Sequence, residues 1–158
     1  MSQTYYWMKQ AQIIAKQALP FDVPVGALIV KEADNLAESK LISIAYNQRE
    51  LNNKISSHAE IIAIEKAAQK LNDWRLDNYT LYITLEPCLM CCGAILQSRL
   101  KKIVFGAYDK KNGFSFSLKK YADIQVIGGI LEQDCELLLS DFFQSLRQKK
   151  LQCKDKKH

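Results

Sequence analysis

Thr80-Leu81-Tyr82-Ile83-Thr84-Leu85-Glu86-Pro87-Cys88-Leu89-Met90-Cys91 is an apolar, β-branched run that meets a proline and then two cysteines. Residues 80–85 read as a strand with both faces buried. Pro87 suits the first turn of a helix, because its missing N–H is not needed there. The apolar pattern then continues to about residue 99. Upstream, residues 4–18 carry apolar positions at helical spacing, and Pro20 and Pro24 stop that helix. Residues 25–30 and 41–46 read as two strands joined in a hairpin around the turn Ala33-Asp34-Asn35. After a polar loop over residues 47–57, Ser56 or Ser57 can cap a helix that holds Glu60 in its first turn and runs to Leu71. Downstream, residues 102–107 and 124–127 read as strands, and an amphipathic helix covers residues 131–148. Helices alternating with strands indicate a sheet covered on both faces. Helix-joined strands after the hairpin are expected to pair in parallel. The expected fold is α/β: a three-layer α/β/α sandwich on a mixed five-stranded sheet.

The 158 residues favour one domain, expected over residues 1–150, with a basic tail over residues 151–158. The chain has 48% hydrophobic and 25% charged residues, an ordinary globular balance. No apolar run approaches the roughly 20 residues of a membrane-spanning helix, so no membrane partner is expected. The N-terminus lacks a basic region followed by an apolar stretch, and the expected location is the cytoplasm. Five cysteines make an odd count. In a reducing compartment, metal binding or burial is favoured over a disulfide framework.

The net charge of +5 is uneven: residues 1–98 sum to −1, residues 99–120 to +6, residues 121–140 to −4 and residues 141–158 to +4. The first basic block follows directly on the cysteine-bearing helix. Basic patches beside a reactive site point to a polyanionic substrate such as nucleic acid, although a lysine-rich terminus also serves as a solvated surface.

His58 is the only histidine before the last residue. With Cys88 and Cys91 it supplies three ligands, the number a catalytic zinc commonly takes while leaving a fourth position for water. The i,i+3 spacing puts both sulfurs on one side of a helix turn, where the helix dipole favours the thiolate. Zinc lowers the pKa of a water it binds to about 7. Glu60, two residues past His58, is placed to move that water's protons as a general acid and base. Cys92, at i,i+4 from Cys88, is the nearest rival ligand. Cys88–Cys91 matches the usual metal spacing better, so Cys92, Cys135 and Cys153 are expected to be buried or incidental thiols.

His-x-Glu followed by Pro-Cys-x-x-Cys is the established signature of zinc nucleobase deaminases. The resemblance extends through Val23-Pro24-Val25-Gly26-Ala27, Asn47, His58-Ala59-Glu60-Ile61, residues 80–88, Phe105-Gly106-Ala107-x-Asp109 and Ser140-Asp141-Phe142-Phe143. The chain resembles the bacterial tRNA-specific adenosine deaminases of the TadA type, in the cytidine/deoxycytidylate deaminase superfamily. That resemblance implies a cytidine-deaminase-like fold and a hydrolase acting on a C–N bond of a cyclic amidine. It implies conversion of adenosine to inosine at the wobble position of a tRNA anticodon stem-loop, by a homodimer with one Zn²⁺ per subunit. It further implies that Asn47 and the Ala59 backbone hold the base and that Val25 and Leu85 line its pocket. Asp109 would meet a neighbouring nucleotide, and Phe143 would pack near the splayed loop. The chain departs from the family in Ile55-Ser56-Ser57 before the histidine and in a short segment over residues 119–123. It also carries Phe114 and Phe116, one of which is expected to stack on RNA.

Overall fold

The computed structural model describes residues 1–155. Its helices are α1 (Gln3–Ala15), α2 (Arg49–Asn52), α3 (Ala59–Leu71), α4 (Leu89–Gln97), α5 (Leu118–Tyr121) and α6 (Glu132–Asp155). Its strands are β1 (Gly26–Lys31), β2 (Lys40–Tyr46), β3 (Thr80–Leu85), β4 (Lys102–Ala107) and β5 (Gln125–Ile127). They form one five-stranded sheet in the order β2-β1-β3-β4-β5. β1 is antiparallel to both β2 and β3, while β3–β4 and β4–β5 are parallel, as the connecting helices require. The mixed five-stranded α/β/α architecture expected from the sequence is therefore the one observed.

The inner strands are apolar on both faces because both are covered. Ile29, Leu81, Ile83, Ile103 and Phe105 face a core shared with α3 and α4. Leu28, Val30, Tyr82 and Val104 face a second core built with α1 and α6. α1 crosses tightly over the sheet at Gly26: a Cβ there would collide with the Ala11 carbonyl oxygen and the Ala15 backbone.

Several boundaries differ from the sequence expectation for local reasons. α1 ends at Ala15, and residues 16–18 tighten into a 3₁₀ turn. Neither Ser56 nor Ser57 caps α3; His58, in extended conformation, holds that position. Pro87 lies outside α4, because Cys88 is its N-cap. α4 stops before Arg99, which adopts a left-handed conformation at φ 64°. α2 and α5 are short helices inside segments expected to be loops. α6 continues past residue 148 to Asp155, so the first part of the expected basic tail is helical. The rest of that tail, residues 156–158, lies outside the described residues.

Candidate metal and substrate site

The site forms beyond the C-terminal ends of β3 and β4, where open α/β sheets commonly bind ligands. Two helix N-termini converge there. His58 and Cys88 are the N-caps of α3 and α4, with extended backbones and no side-chain capping bond, so both side chains are left for other work. Cys91 follows in the first turn of α4. The donor atoms of His58, Cys88 and Cys91 lie within 4.8 Å of one another and could hold a metal ion. His58 Nδ1 sits 3.7 Å from Cys88 Sγ and 3.4 Å from Cys91 Sγ. Metal–sulfur and metal–nitrogen lengths of about 2.3 and 2.0 Å, those of zinc, set tetrahedral neighbours roughly 3.5 Å apart. The three residues fit one such ion.

Their electrostatics agree with ligation. Hydrogen bonding from Cys91, then from His58, pulls the Cys88 thiol down to about 4. That same bond to Cys88, reinforced by burial, raises Cys91, so Cys88 is the first thiolate of the pair. The bond to Cys88 also raises His58, against the effect of burial. Cys92 is a core residue whose thiol donates to the Pro87 carbonyl oxygen at 3.7 Å. Burial pushes its thiol up to about 12, and its sulfur is not grouped with the His58, Cys88 and Cys91 donor atoms. Glu60 is 4% exposed, and among the described residues no cation pairs with it. Burial pushes its carboxyl up to about 7. A carboxyl in that range can both take and return a proton near neutrality.

The cleft above these groups has a volume of about 1010 Å³. Val25, Asn47, Ala59, Leu85, Asp109 and Phe143, all singled out by resemblance, line it together with His58, Glu60 and Cys88. Asn47 Nδ2 donates to the Val23 carbonyl at 3.2 Å and Oδ1 accepts from Arg49 N at 3.2 Å. An amide offers two N–H groups and two lone pairs, so each end has room for one more partner. Asp109 Oδ1 accepts from Lys111 N and Asn112 N, each at 3.0 Å, which turns the loop at the cleft mouth. Phe114 is partly buried and packs against the core, whereas Phe116 is 65% exposed; neither lines the cleft.

Sequence reasoning missed Asp22, Arg49 and Glu86, which also line the cleft. The only signal for Glu86 was a charged residue between an apolar strand and Pro87. Sequence reasoning singled out Phe143 but missed the rest of the α6 stripe, Glu136, Leu139, Ser140 and Arg147, whose helical spacing puts one face of α6 on the cleft.

The MafB19-like deaminase family matches the chain over residues 2–147. A tRNA-specific adenosine deaminase of Bacillus subtilis (strain 168) is 40% identical, covering 95% of this chain and 94% of its own. One of Aquifex aeolicus (strain VF5) is 38% identical, covering 90% of this chain and 95% of its own. A solved structure from studies of A-to-I editing by tRNA:A34 deaminases at the wobble position of transfer RNA has a TM-score of 0.75 and 31% identity. It covers 85% of this chain and 99% of its own. The chain belongs to the MafB19-like deaminase family, alongside the tRNA-specific adenosine deaminases.

Proposed function

We propose that the chain is a zinc-dependent adenosine deaminase that converts adenosine to inosine at the wobble position of a tRNA anticodon. The observation that carries this reading is the His58, Cys88 and Cys91 donor set with the buried Glu60 beside it at one cleft. The imidazole and two sulfurs suit zinc better than magnesium or calcium. When bound, zinc would supply Lewis acidity that makes water nucleophilic near neutral pH.

Glu60 takes a proton from the attacking water and passes it to the purine ring nitrogen, then carries the second proton, from the new C6 hydroxyl, to the exocyclic amine as the C6 carbonyl forms. The water oxygen bonds to C6, the bond from C6 to the exocyclic nitrogen breaks, and ammonia leaves. Asn47 hydrogen-bonds the base with its remaining donor and acceptor, and the Ala59 backbone fixes the base edge. Val25 and Leu85 give the ring apolar walls. Asp109 meets the neighbouring nucleotide, and Phe143 packs beside the splayed loop.

The cleft is lined by Arg49, Lys110, Lys111 and Arg147, which supports a phosphate-bearing substrate. Along α6 the cleft-facing spacing continues from Arg147 to Lys150 and Lys154, extending a cationic track beyond the cleft. A homodimer with one zinc ion per subunit, acting in the cytoplasm, completes the reading. No helix among the described residues is long and apolar enough to cross a membrane.

The deciding experiment incubates tRNA with zinc-loaded protein and sequences the product. The expected result is guanosine read in place of adenosine at the first anticodon position. Unaltered tRNA combined with turnover of a free purine would move the assignment to a nucleobase deaminase.

A further inference from the structure

We infer that Glu86 is a positioning residue: it fixes the loop of residues 109–115 against the Cys88 turn, and so determines how the nucleotides beside the target base are held. The role presupposes the tRNA deaminase reading and concerns recognition rather than chemistry.

Glu86 follows β3 and precedes Pro87-Cys88. Its carboxylate is buried, at 8% residue exposure, and among the described residues it has no cationic partner. Backbone and hydroxyl donors from one loop satisfy it instead. Oε2 accepts from Asp109 N at 3.1 Å, while Oε1 accepts from Ser115 N at 3.3 Å and from Ser115 Oγ at 2.6 Å. Both ends of the loop are thus tied to one side chain. The middle is tied to the metal turn: Gly113 bridges Cys88, and Phe114 N donates to the Pro87 carbonyl at 3.0 Å. Gly113 is the residue that permits this approach, because a Cβ there would collide with Glu86 Oε2 and lie 2.5 Å from the Asp109 carbonyl oxygen. The loop held this way presents Asp109, Lys110, Lys111 and Asn112 to the cleft. No other side chain among the described residues accepts from both ends of it.

A carboxylate serves these three donors because both of its oxygens accept. Glutamine has one accepting oxygen and one donating nitrogen, so Glu86→Gln must turn an N–H group toward either Asp109 N or Ser115. Two measurements on the full-length, zinc-loaded Glu86→Gln protein test the role. Amide hydrogen exchange, which needs no activity, should quicken by ~10-fold or more at Asp109 and Ser115 while α3 and α4 stay protected. On an anticodon stem-loop, KM should rise by ~10-fold or more while kcat changes by less than ~3-fold, and the preference among nucleotides flanking the target should weaken. Ser115→Ala, which removes one donor and keeps the carboxylate, should move both readouts the same way by a smaller factor.

Unchanged exchange at Asp109 and Ser115 would overturn the inference, as would a loss confined to kcat or to zinc content. If Glu86→Gln does not fold, Ser115→Ala alone decides, and a variant with wild-type exchange and KM refutes the role. A wild-type protein that leaves the stem-loop unedited defeats the deaminase reading itself, while the exchange experiment still reports on Glu86.

Discussion

The floor of the cleft and its mouth are built by different means. At the floor, His58, Glu60, Cys88 and Cys91 are placed by the main chain of two helix N-termini whose following turns pack into the core through Ala59, Ala63 and Cys92. Their positions follow mainly from helix geometry and burial, with the Gly113 bridge and the bond from Phe114 N to the Pro87 carbonyl bracing the Cys88 turn. At the mouth, two loops carry the polar lining, and each is tied down by a buried carboxylate. Asp22 Oδ1 accepts from Glu50 N at 2.7 Å and Oδ2 from Leu51 N at 3.0 Å, which holds the segment that bears Asn47 and Arg49. Glu86 does the same for residues 109–115 on the other wall. Chemistry is therefore fixed by secondary structure and packing. Recognition is fixed by a few hydrogen bonds that can change without disturbing the metal ligands. Substitutions at the floor should abolish turnover, and substitutions at the mouth should tune binding.

The sharpest break of that contrast is Glu60→Gln. It keeps the shape of a buried side chain that contacts no cation, so zinc content and melting temperature should stay near wild type. Turnover should fall by about 10²–10⁴-fold, the usual value of general acid–base assistance. A metal assay beside a single-turnover measurement checks both halves, and a variant that edits at the wild-type rate would remove Glu60 from the mechanism.

A smaller effect is expected at the other wall. Asp22→Asn leaves one of the two amides of α2 facing an N–H group, a loss of about 1.5–3 kcal/mol of charge-assisted hydrogen bonding. KM for the stem-loop should rise by roughly tenfold while zinc stays bound. If Asp22→Asn instead empties the metal site, floor and mouth are not separable.

How much of this was visible beforehand follows the same division. The floor was legible because its groups sit two and three residues apart, and such spacings survive in the bare chain. The sheet was legible because its strands are continuous apolar runs covered on both faces. The mouth was not. Glu86 meets donors 23 and 29 residues away, and Asp22 meets donors 28 and 29 residues away, separations at which no periodicity operates. The cap of α3 was misplaced because Ser57 is taken up by the preceding loop, where its carbonyl accepts from Gln48 N and its hydroxyl meets Asn52. The length of α6 was underestimated because its last turns are exposed. Apolar spacing ends there, while strong helix formers such as Leu, Gln and Lys carry the helix on.

Electrostatic attraction at the mouth should be weaker still and screened by salt. Replacing Lys110 and Lys111 together with alanine should reduce the dependence of log affinity on log salt concentration. The slope should shrink by about 1.4 if each lysine neutralises one phosphate of a single-stranded loop. An unchanged slope would mean that these lysines face the cleft without meeting RNA.

The smallest effect lies at the opposite end of the sheet and serves as the control for both regions. Glu32, just past β1, accepts from Lys102 Nζ at 2.7 Å and from the Tyr82 hydroxyl. Burial pushes its carboxyl up, but hydrogen bonds from Lys102 and Tyr82 and the Lys102 charge outweigh that, leaving it below its ordinary value of 4.5. A carboxyl depressed in the folded state stabilises the fold above its unfolded value, and that contribution disappears as pH falls through the lowered folded value. The pair is partly exposed, so solvent screening should hold its worth to about 1 kcal/mol or less. Glu32→Gln should therefore melt slightly below wild type at neutral pH. The gap should stay constant down to about 4.5 and close in more acid solution. Because Glu32 touches neither floor nor mouth, kcat and KM should not move. A gap that widens in acid would reverse the sign assigned to this carboxyl. A change in kcat would show that the far end of the sheet reaches the metal site through β3, contrary to the local construction argued for the floor.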